Sequence, residues 1–411
     1  MMIKELHLEN WKSFKKSRLY IDPLTILIGR NASGKSNVLD ALSLLQSISS
    51  GNQITQSLNG TSESTGVRGG VNWMIKQGES SCKIGVTVKG EEELIEYFYE
   101  IELGILENRA ELLSECLYRV RLRKTNTNKS YKKLFHTDDR DISKPSIIAY
   151  FSTNTQGRGK RFELRRSYSI LSQSRSLSLI KDVAKGVNTV VKHLQRIFVY
   201  DPIPSLMRDY SPLNDALLPD GSNISGVLAA IENGRRKEVE HQLAKYFKLI
   251  PEKDVTRVYT ELVGKFGADA MLYVEENWKN ITTSVDAKGM SDGTLRFIAI
   301  MVALLTLKEG SLLVIEEIDN GLHPSRSDVL VKIINEIGLS RNIDVVCTTH
   351  NPSLLNAFGN EIIPFVSYVY RDDLTGDSCI KLLEEIEELP RLLGAGKIGT
   401  LMSKGLFEKV L

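Results

Sequence analysis

The chain has 411 residues, 42% of them hydrophobic and 25% charged, with 53 Lys and Arg against 51 Asp and Glu for a formal net charge of +2. This is the balance of an ordinary globular chain with room for a large core and two domains, and its charge does not by itself argue for a nucleic-acid partner. Cys82, Cys116, Cys347 and Cys379 show no CxxC spacing, which argues against a zinc ribbon and a disulfide framework and fits a reducing, cytoplasmic compartment. Residues 1–11 carry charges throughout and no apolar h-region, so no signal peptide is expected. The longest apolar run, residues 297–307, falls short of the about 20 residues that cross a bilayer. It reads as a buried helix, and no membrane partner is expected.

In chain order, Ile3, Leu6 and Leu8 mark a strand that leads into Asn10-Trp11-Lys12-Ser13-Phe14, a turn carrying a cation. Leu19 and Ile21 mark a second strand. After Asp22-Pro23 comes Ile26-Leu27-Ile28, then Gly29-Arg30-Asn31-Ala32-Ser33-Gly34-Lys35-Ser36-Asn37, then a helix-like run to about residue 48. Residues 29–36 match G-x-x-x-x-G-K-S, between a strand and a helix as that pattern requires. The glycines allow a tight turn that aims backbone N–H groups at a phosphate, and the helix behind adds its positive end. Lys35 then reaches the β- and γ-phosphates, and the Ser36 hydroxyl binds Mg²⁺.

Residues 49–70, rich in Ser, Gly, Asn and Thr, read as a loop. Strand-like runs at 82–89, 97–103 and 115–124 read as antiparallel hairpins. Arg119, Arg121, Arg123, Lys124, Lys129, Lys132 and Lys133 form one basic cluster; Arg158, Lys160, Arg161, Arg165 and Arg166 form another. Each fits either a solvated face or a contact to a nucleic-acid backbone. Residues 176–196 and 223–249 have helical spacing.

Three later stretches continue the phosphate theme. Ser291-Asp292-Gly293 stands at the start of an apolar helix, an anion-facing arrangement that is also a common N-cap. Leu312-Leu313-Val314-Ile315 is a buried strand that ends in Glu316-Glu317, at the carboxyl edge where α/β sheets bind ligands. Strand alternation would send the two carboxylates to opposite sides: one suits Mg²⁺, the other the attacking water. Residues 345–349 form another buried run that ends at His350, placed to meet a γ-phosphate.

This order of motifs resembles the ATPase heads of the ABC superfamily, and more narrowly the SMC/RecF-like and OLD-like AAA-family ATPases of bacteria. Asn-Trp-Lys-Ser-Phe resembles the opening N-F-x-S-F of that group, and Ile-Glu-Glu-Ile-Asp-Asn-Gly-Leu-His-Pro its I-E-E-P-E-x-G-L-H-P form of Walker B and D-loop. The resemblance covers residues 1–50 and about 280–411. It implies an α/β P-loop NTPase head with a mixed central sheet, an antiparallel β lobe and a helical or mixed insertion. The expected parts are 1–110 (Walker A and β lobe), 111–250 (insertion) and 251–411 (signature, Walker B, D-loop and switch histidine).

The resemblance further implies ATP and Mg²⁺ at residues 29–37, Glu316 as the Walker B carboxylate, Glu317 as general base and His350 as switch histidine. Ser291, Asp292 and Gly293 become the signature turn, which in this superfamily serves the partner subunit, and residues 320–323 the D-loop. Gln77 and Gln173 are the candidates for the glutamine loop. The signature reads Met-Ser-Asp-Gly-Thr, not Leu-Ser-Gly-Gly-Gln, and Walker B has Glu for Asp. Both departures occur in the OLD-like branch and argue against a transporter subunit. Glu384, Glu385, Glu387 and Glu388 read as a solvated face, and with about 60 residues after His350 no OLD-type nuclease domain is expected among them. The implied function is an ATPase that dimerises, or forms a higher even oligomer, around ATP. It would act as sensor or motor for a separate effector such as a nuclease, in phage defence or DNA maintenance. The rivals are a RecF-like DNA-repair ATPase, a transporter nucleotide-binding subunit and a slowly hydrolysing scaffold.

Overall fold

Strand pairing begins at the N-terminus. Ile3–Trp11 runs antiparallel to Phe14–Tyr20 on one side and to Ser81–Lys89 on the other. The sheet continues, always antiparallel, through Ile95–Leu106, Arg109–Arg123, Asn126–Thr137, Ser146–Phe151 and Lys160–Arg165. The computed structural model describes the chain apart from residues 1, 62–64, 124–125, 139–142, 156, 251–254, 279–280, 323–325 and 411. It has two compact units, Met1–Phe198 with Ser367–Leu382, and Val199–Val366 with Leu383–Leu411.

The long antiparallel sheet is the β lobe expected from the hairpin signals, and it belongs to the first unit. Cross-strand charge pairs lace it: Lys83 Nζ lies 3.1 Å from Glu9 Oε1, and Lys4 pairs with the buried Glu96. The helix Lys181–Leu194 buries Val183, Val187, Val190 and Leu194, the spacing of one helical face. It starts five residues later than the sequence pattern suggested, after an extended stretch that follows the short helix Ser174–Ser176. Within this unit the strand Leu24–Ile28, buried at every residue, neighbours Val366–Arg371, which pairs antiparallel with Ser378–Leu382.

In the second unit Leu312–Ile315 and Asp344–Thr348 pair in parallel, with Ile315 opposite Cys347. Both strands are buried throughout, as the apolar residues 312–315 and 345–347 require. The helix Asp292–Thr306 is buried from Thr294 to Leu305, which makes it a core helix as expected. Among the described residues no helix is long and apolar enough to cross a membrane. A smaller antiparallel sheet holds Ser211–Pro212, Asp269–Trp278 and Val255–Val263, with Ile281–Asp286 on Asp269–Trp278.

Two local expectations change. Residues 49–70 are not all loop: Ile54–Asn59 is a helix whose Ile54 and Leu58 are fully buried. That apolar i, i+4 pair outweighs the polar composition around it. Residues 223–249 break into Ile224–Ala230 and Asn233–Phe247, because Ile231 and Glu232 adopt extended backbone angles.

Candidate functional site

The loop at residues 29–37 lies in the first unit. The strand Leu24–Ile28 ends at Gly29, whose φ is 143°. A Cβ there would lie 2.0 Å from the Val369 carbonyl oxygen, so no larger residue fits. Ala32 at φ 63° and Gly34 at φ 117° complete the turn. Arg30, Asn31 and Ala32 are exposed at its tip, Ser33 and Gly34 are buried, and Lys35, Ser36 and Asn37 are half-buried. The helix Lys35–Ser49 then starts with no side-chain cap at Gly34 and no acidic residue in its first turn. Its positive end is thus not compensated by a carboxylate. Lys35 Nζ donates to the carbonyls of Gly29 (2.7 Å) and Arg30 (2.9 Å), so the side chain curls over its own loop.

The loop is braced from outside. Trp11 Nε1 donates to the Asn37 carbonyl at 2.7 Å, Lys12 Nζ to Asp40 Oδ2 at 2.5 Å, and Asn37 Nδ2 to Ser13 Oγ at 2.8 Å. Ser378 Oγ donates to the Ser33 carbonyl at 2.5 Å, and Arg371 Nε to the Ala32 carbonyl at 3.1 Å. The Asn10–Phe14 turn therefore serves the phosphate loop directly.

A second group of candidate residues lies in the second unit, at the ends of the two parallel strands. The strand stops at Ile315, and Glu317 takes a left-handed φ of 47°. Glu317 therefore lies beyond the strand and does not follow its alternation; a turn sets its direction. The Glu317 N–H donates to Thr348 Oγ1 at 2.8 Å and the Ile318 N–H to the Thr348 carbonyl at 3.1 Å. His350 Nδ1 lies 3.6 Å from Glu317 Oε1, and both side chains are open to solvent. Beneath them the buried Thr349 hydroxyl donates to Asp319 Oδ1 at 2.6 Å. The Glu316 carbonyl accepts from Arg296 Nη2 at 3.4 Å.

Also in this unit, Ser291 caps the helix Asp292–Thr306 by accepting the Thr294 N–H at 3.2 Å. Ser291 and Asp292 are exposed, and a Cβ on Gly293 would lie 2.5 Å from the Gly321 carbonyl. The turn expected to be the signature thus abuts the expected D-loop of its own chain. Asn320 and Gly321 are exposed; His323 lies outside the described residues.

A serine hydroxyl such as that of Ser36 and a carboxylate such as that of Glu316 are each, taken singly, hard ligands of the kind Mg²⁺ takes. Among the described residues no three His, Cys, Asp or Glu gather into a protein-only cage. Mg²⁺ needs none, since it binds through one or two carboxylates plus substrate phosphates and water.

The basic clusters divide. Arg119 and Lys132 both pair with Asp182, and Arg158 Nη2 lies 3.3 Å from Asp138 Oδ2. Arg166 is fully buried and donates to the carbonyls of Leu112, Lys144 and Ser146, so it leaves the surface cluster. Arg121, Arg123, Lys129, Lys133, Lys160, Arg161 and Arg165 remain exposed, while Lys124 lies outside the described residues. The Gln173 amide is engaged at both ends by the Arg165 backbone, and Gln77 is exposed in a turn. Glu384, Glu385, Glu387 and Glu388 are exposed.

Sequence reasoning missed Thr348, Asp319, Arg296, Arg208 and Ser378. Thr348 and Asp319 stand next to motifs already singled out, and for Thr348 a polar residue at a buried strand end was the available signal. The other three act across the chain, and no local pattern marks them.

A family model described as "AAA domain, putative AbiEii toxin, Type IV TA system" matches residues 24–356. None of the curated proteins compared matches the chain. Among solved structures, it is similar to an Smc head bound to the C-winged helix domain of ScpA. That match has 14% identity, covers 93% of this chain and 97% of the other, and has a TM-score of 0.50. It is also similar to an Smc head with an extended coiled coil bound to the C-terminal domain of ScpA, derived from Pyrococcus furiosus. There the identity is 13%, the coverage 96% and 100%, and the TM-score 0.50. At these identities the likeness shows the fold, that of an SMC-type ATPase head.

Proposed function

The chain belongs to this AAA-domain family, and on that premise we propose that it binds ATP with Mg²⁺, hydrolyses ATP to ADP and phosphate, and closes as a dimer around the nucleotide. Residues 29–37 cradle the phosphates. Lys35 leaves the Gly29 and Arg30 carbonyls for the β- and γ-phosphates. Ser36 and Glu316 hold the cation, whose charge offsets that of the phosphates. Glu317 orients and deprotonates the attacking water, and His350 donates to the γ-phosphate. Ser291, Asp292 and Gly293 serve the nucleotide of a second copy.

The observation that supports this reading most is the Glu317–His350 pair, 3.6 Å apart at the ends of two parallel strands. A base and a hydrogen-bond donor side by side at a carboxyl strand edge suit hydrolysis of a γ-phosphate better than storage of a nucleotide. The head then acts in the cytoplasm as sensor or motor for a separate effector, such as a nuclease, in phage defence or DNA maintenance. The family's tie to toxin–antitoxin systems and the pairing of the similar Smc heads with ScpA support that role.

The experiment is phosphate release by the wild-type chain and by Lys35→Ala. Lys35→Ala should abolish release, since no neighbouring residue replaces its charge on the transferring phosphate. Full activity in the folded variant would rule the phosphate loop out.

A further inference from the structure

The turn that leads into Ser291 is built around an arginine from a distant part of the chain. Arg208 ends the short helix Pro204–Arg208 in the same unit. Its Nη1 donates to the carbonyl oxygens of Ala287 (3.2 Å), Lys288 (2.9 Å) and Met290 (2.7 Å). Its Nη2 donates to Asp292 Oδ1 at 2.5 Å. One guanidinium thus collects three carbonyls and a carboxylate from residues 287–292. Oxygen atoms converging on one spot repel each other unless a cation lies between them, and a planar fork satisfies several where a point charge cannot. The next two residues grip the same turn: Lys288 Nζ is 3.8 Å from Asp209 Oδ1 and 5.0 Å from the Tyr210 ring centre. Ala287 and Met290 are buried beneath.

We propose that Arg208 is a positioning residue for the ATPase reaction. It fixes the backbone before Ser291 so that the Ser291 hydroxyl and the first N–H groups of the helix Asp292–Thr306 meet a γ-phosphate presented by a second copy. This rests on the reading that Ser291 and Gly293 contact that phosphate. Arg208 touches no reacting atom; it acts through the turn. The strength of such donors depends on where they are aimed, and a misplacement of about 1 Å costs about 10²-fold in rate. ATP itself is held at residues 29–37, in the other unit, so losing Arg208 alters turnover and not first binding.

The test measures turnover, binding of a fluorescent ATP analogue and hydrogen–deuterium exchange for Arg208→Ala, Arg208→Lys and Ser291→Arg in the full chain. Arg208→Ala should lower kcat by about tenfold or more, with analogue affinity changed by less than about twofold. Arg208→Lys, which restores the charge without the fork, should recover part of the loss. Exchange at residues 287–294 should quicken in both, with residues 26–38 unchanged. A merely structural arginine would leave kcat per folded molecule at the wild-type value and overturn the proposal. If Arg208→Ala does not fold, Arg208→Lys decides: wild-type kcat and exchange overturn the proposal. Wild-type turnover in Ser291→Arg would instead sink the underlying reading. An inactive Ser291→Arg beside a fully active Arg208→Ala would leave that reading standing and remove Arg208 alone.

Discussion

Glu317 and Thr348 are joined by one hydrogen bond from the Glu317 N–H to the Thr348 hydroxyl, 2.8 Å long, and it holds Glu317 in a left-handed conformation with φ 47°. Few non-glycine residues adopt that region, and those that do are held there by their surroundings. The result is a carboxylate turned off its strand axis to lie 3.6 Å from His350. Glu317→Gln should bind ATP and stall turnover. The amide keeps the shape but cannot act as a base, and general-base groups contribute about 10²–10⁴-fold. A fall of less than about tenfold would remove Glu317 from that role. If Glu316→Gln were the harsher change with Mg²⁺ binding intact, the two roles would be exchanged.

Thr348→Val is the sharper test of the geometry. Valine has nearly the shape of threonine but cannot accept the Glu317 N–H. The turn would lose a bond of about 1 kcal/mol and its hold on the glutamate direction. Turnover should fall with ATP affinity unchanged. Wild-type turnover in this variant would mean that the left-handed turn is not what aims Glu317.

Gly29→Ala should destabilise the first unit by about 2–4 kcal/mol, since the new Cβ must displace the Val369 backbone and adopt a strained φ. Gly51→Ala is the control: Gly51 also has positive φ, at 98°, but nothing lies within 4 Å of its Cβ position. Thermal unfolding of both variants separates strain from collision. Equal losses would show that the approach of Val369 is not a constraint.

The sequence announces the phosphate loop because all of its parts are contiguous: the buried strand, the glycines, Lys35 and the helix. Glu317 and His350 are legible for a related reason, since polar residues stand out at the ends of two apolar runs. What holds them is less legible. Thr348 reads as one more β-branched strand residue, and only the fold reveals its hydroxyl as an acceptor. Arg166 reads as one cation among five, yet it is buried against three carbonyls. Charge counts along the chain do not register which guanidinium turns inward. Ser378 and Arg371 lie more than 300 residues from the loop they brace.

Two buried groups in the first unit tie stability to pH with opposite signs. Burial pulls His193 down from its ordinary 6.5 to about 4. Its contribution is present above pH 6.5 and is lost as pH falls through about 4. Burial pushes Glu115 up to about 7, against the opposing N–H groups of Leu171 and Ile170 and the hydroxyls of Ser169 and Tyr99. Its contribution is present below the unfolded value of 4.5 and is lost as pH rises through about 7. Between pH 4.5 and 6.5 the two slopes oppose each other. His193→Leu should unmask the Glu115 slope, making the unit less stable as pH rises across that window. The wild-type minus variant difference, from urea unfolding, should grow with pH by on the order of 2–3 kcal/mol. A flat difference would mean that His193 is not held neutral.

A phosphate loop needs neutralising groups on the far side of the γ-phosphate, and the turn from Ser291 to Gly293 offers a hydroxyl and the start of a buried helix. Arg208 holds the turn from behind, and Gly293 presses against Gly321, so the exposed side is the one free to meet a nucleotide. In a two-fold dimer each Ser291 would serve the other copy's residues 29–36, giving two composite sites. Ser291→Arg should therefore bind ATP through its intact loop, fail to dimerise with ATP, and fail to hydrolyse it. Mixing it with Lys35→Ala sharpens the expectation. One copy then lacks a usable turn and the other a usable loop. A mixed dimer pairs the good loop of Ser291→Arg with the good turn of Lys35→Ala, and the second site combines both defects. Light scattering and phosphate release on the mixture should show ATP-dependent dimers with at most one working site each. If Ser291→Arg alone dimerises with ATP and turns over at the wild-type rate, the turn is not part of a composite site and each chain works alone.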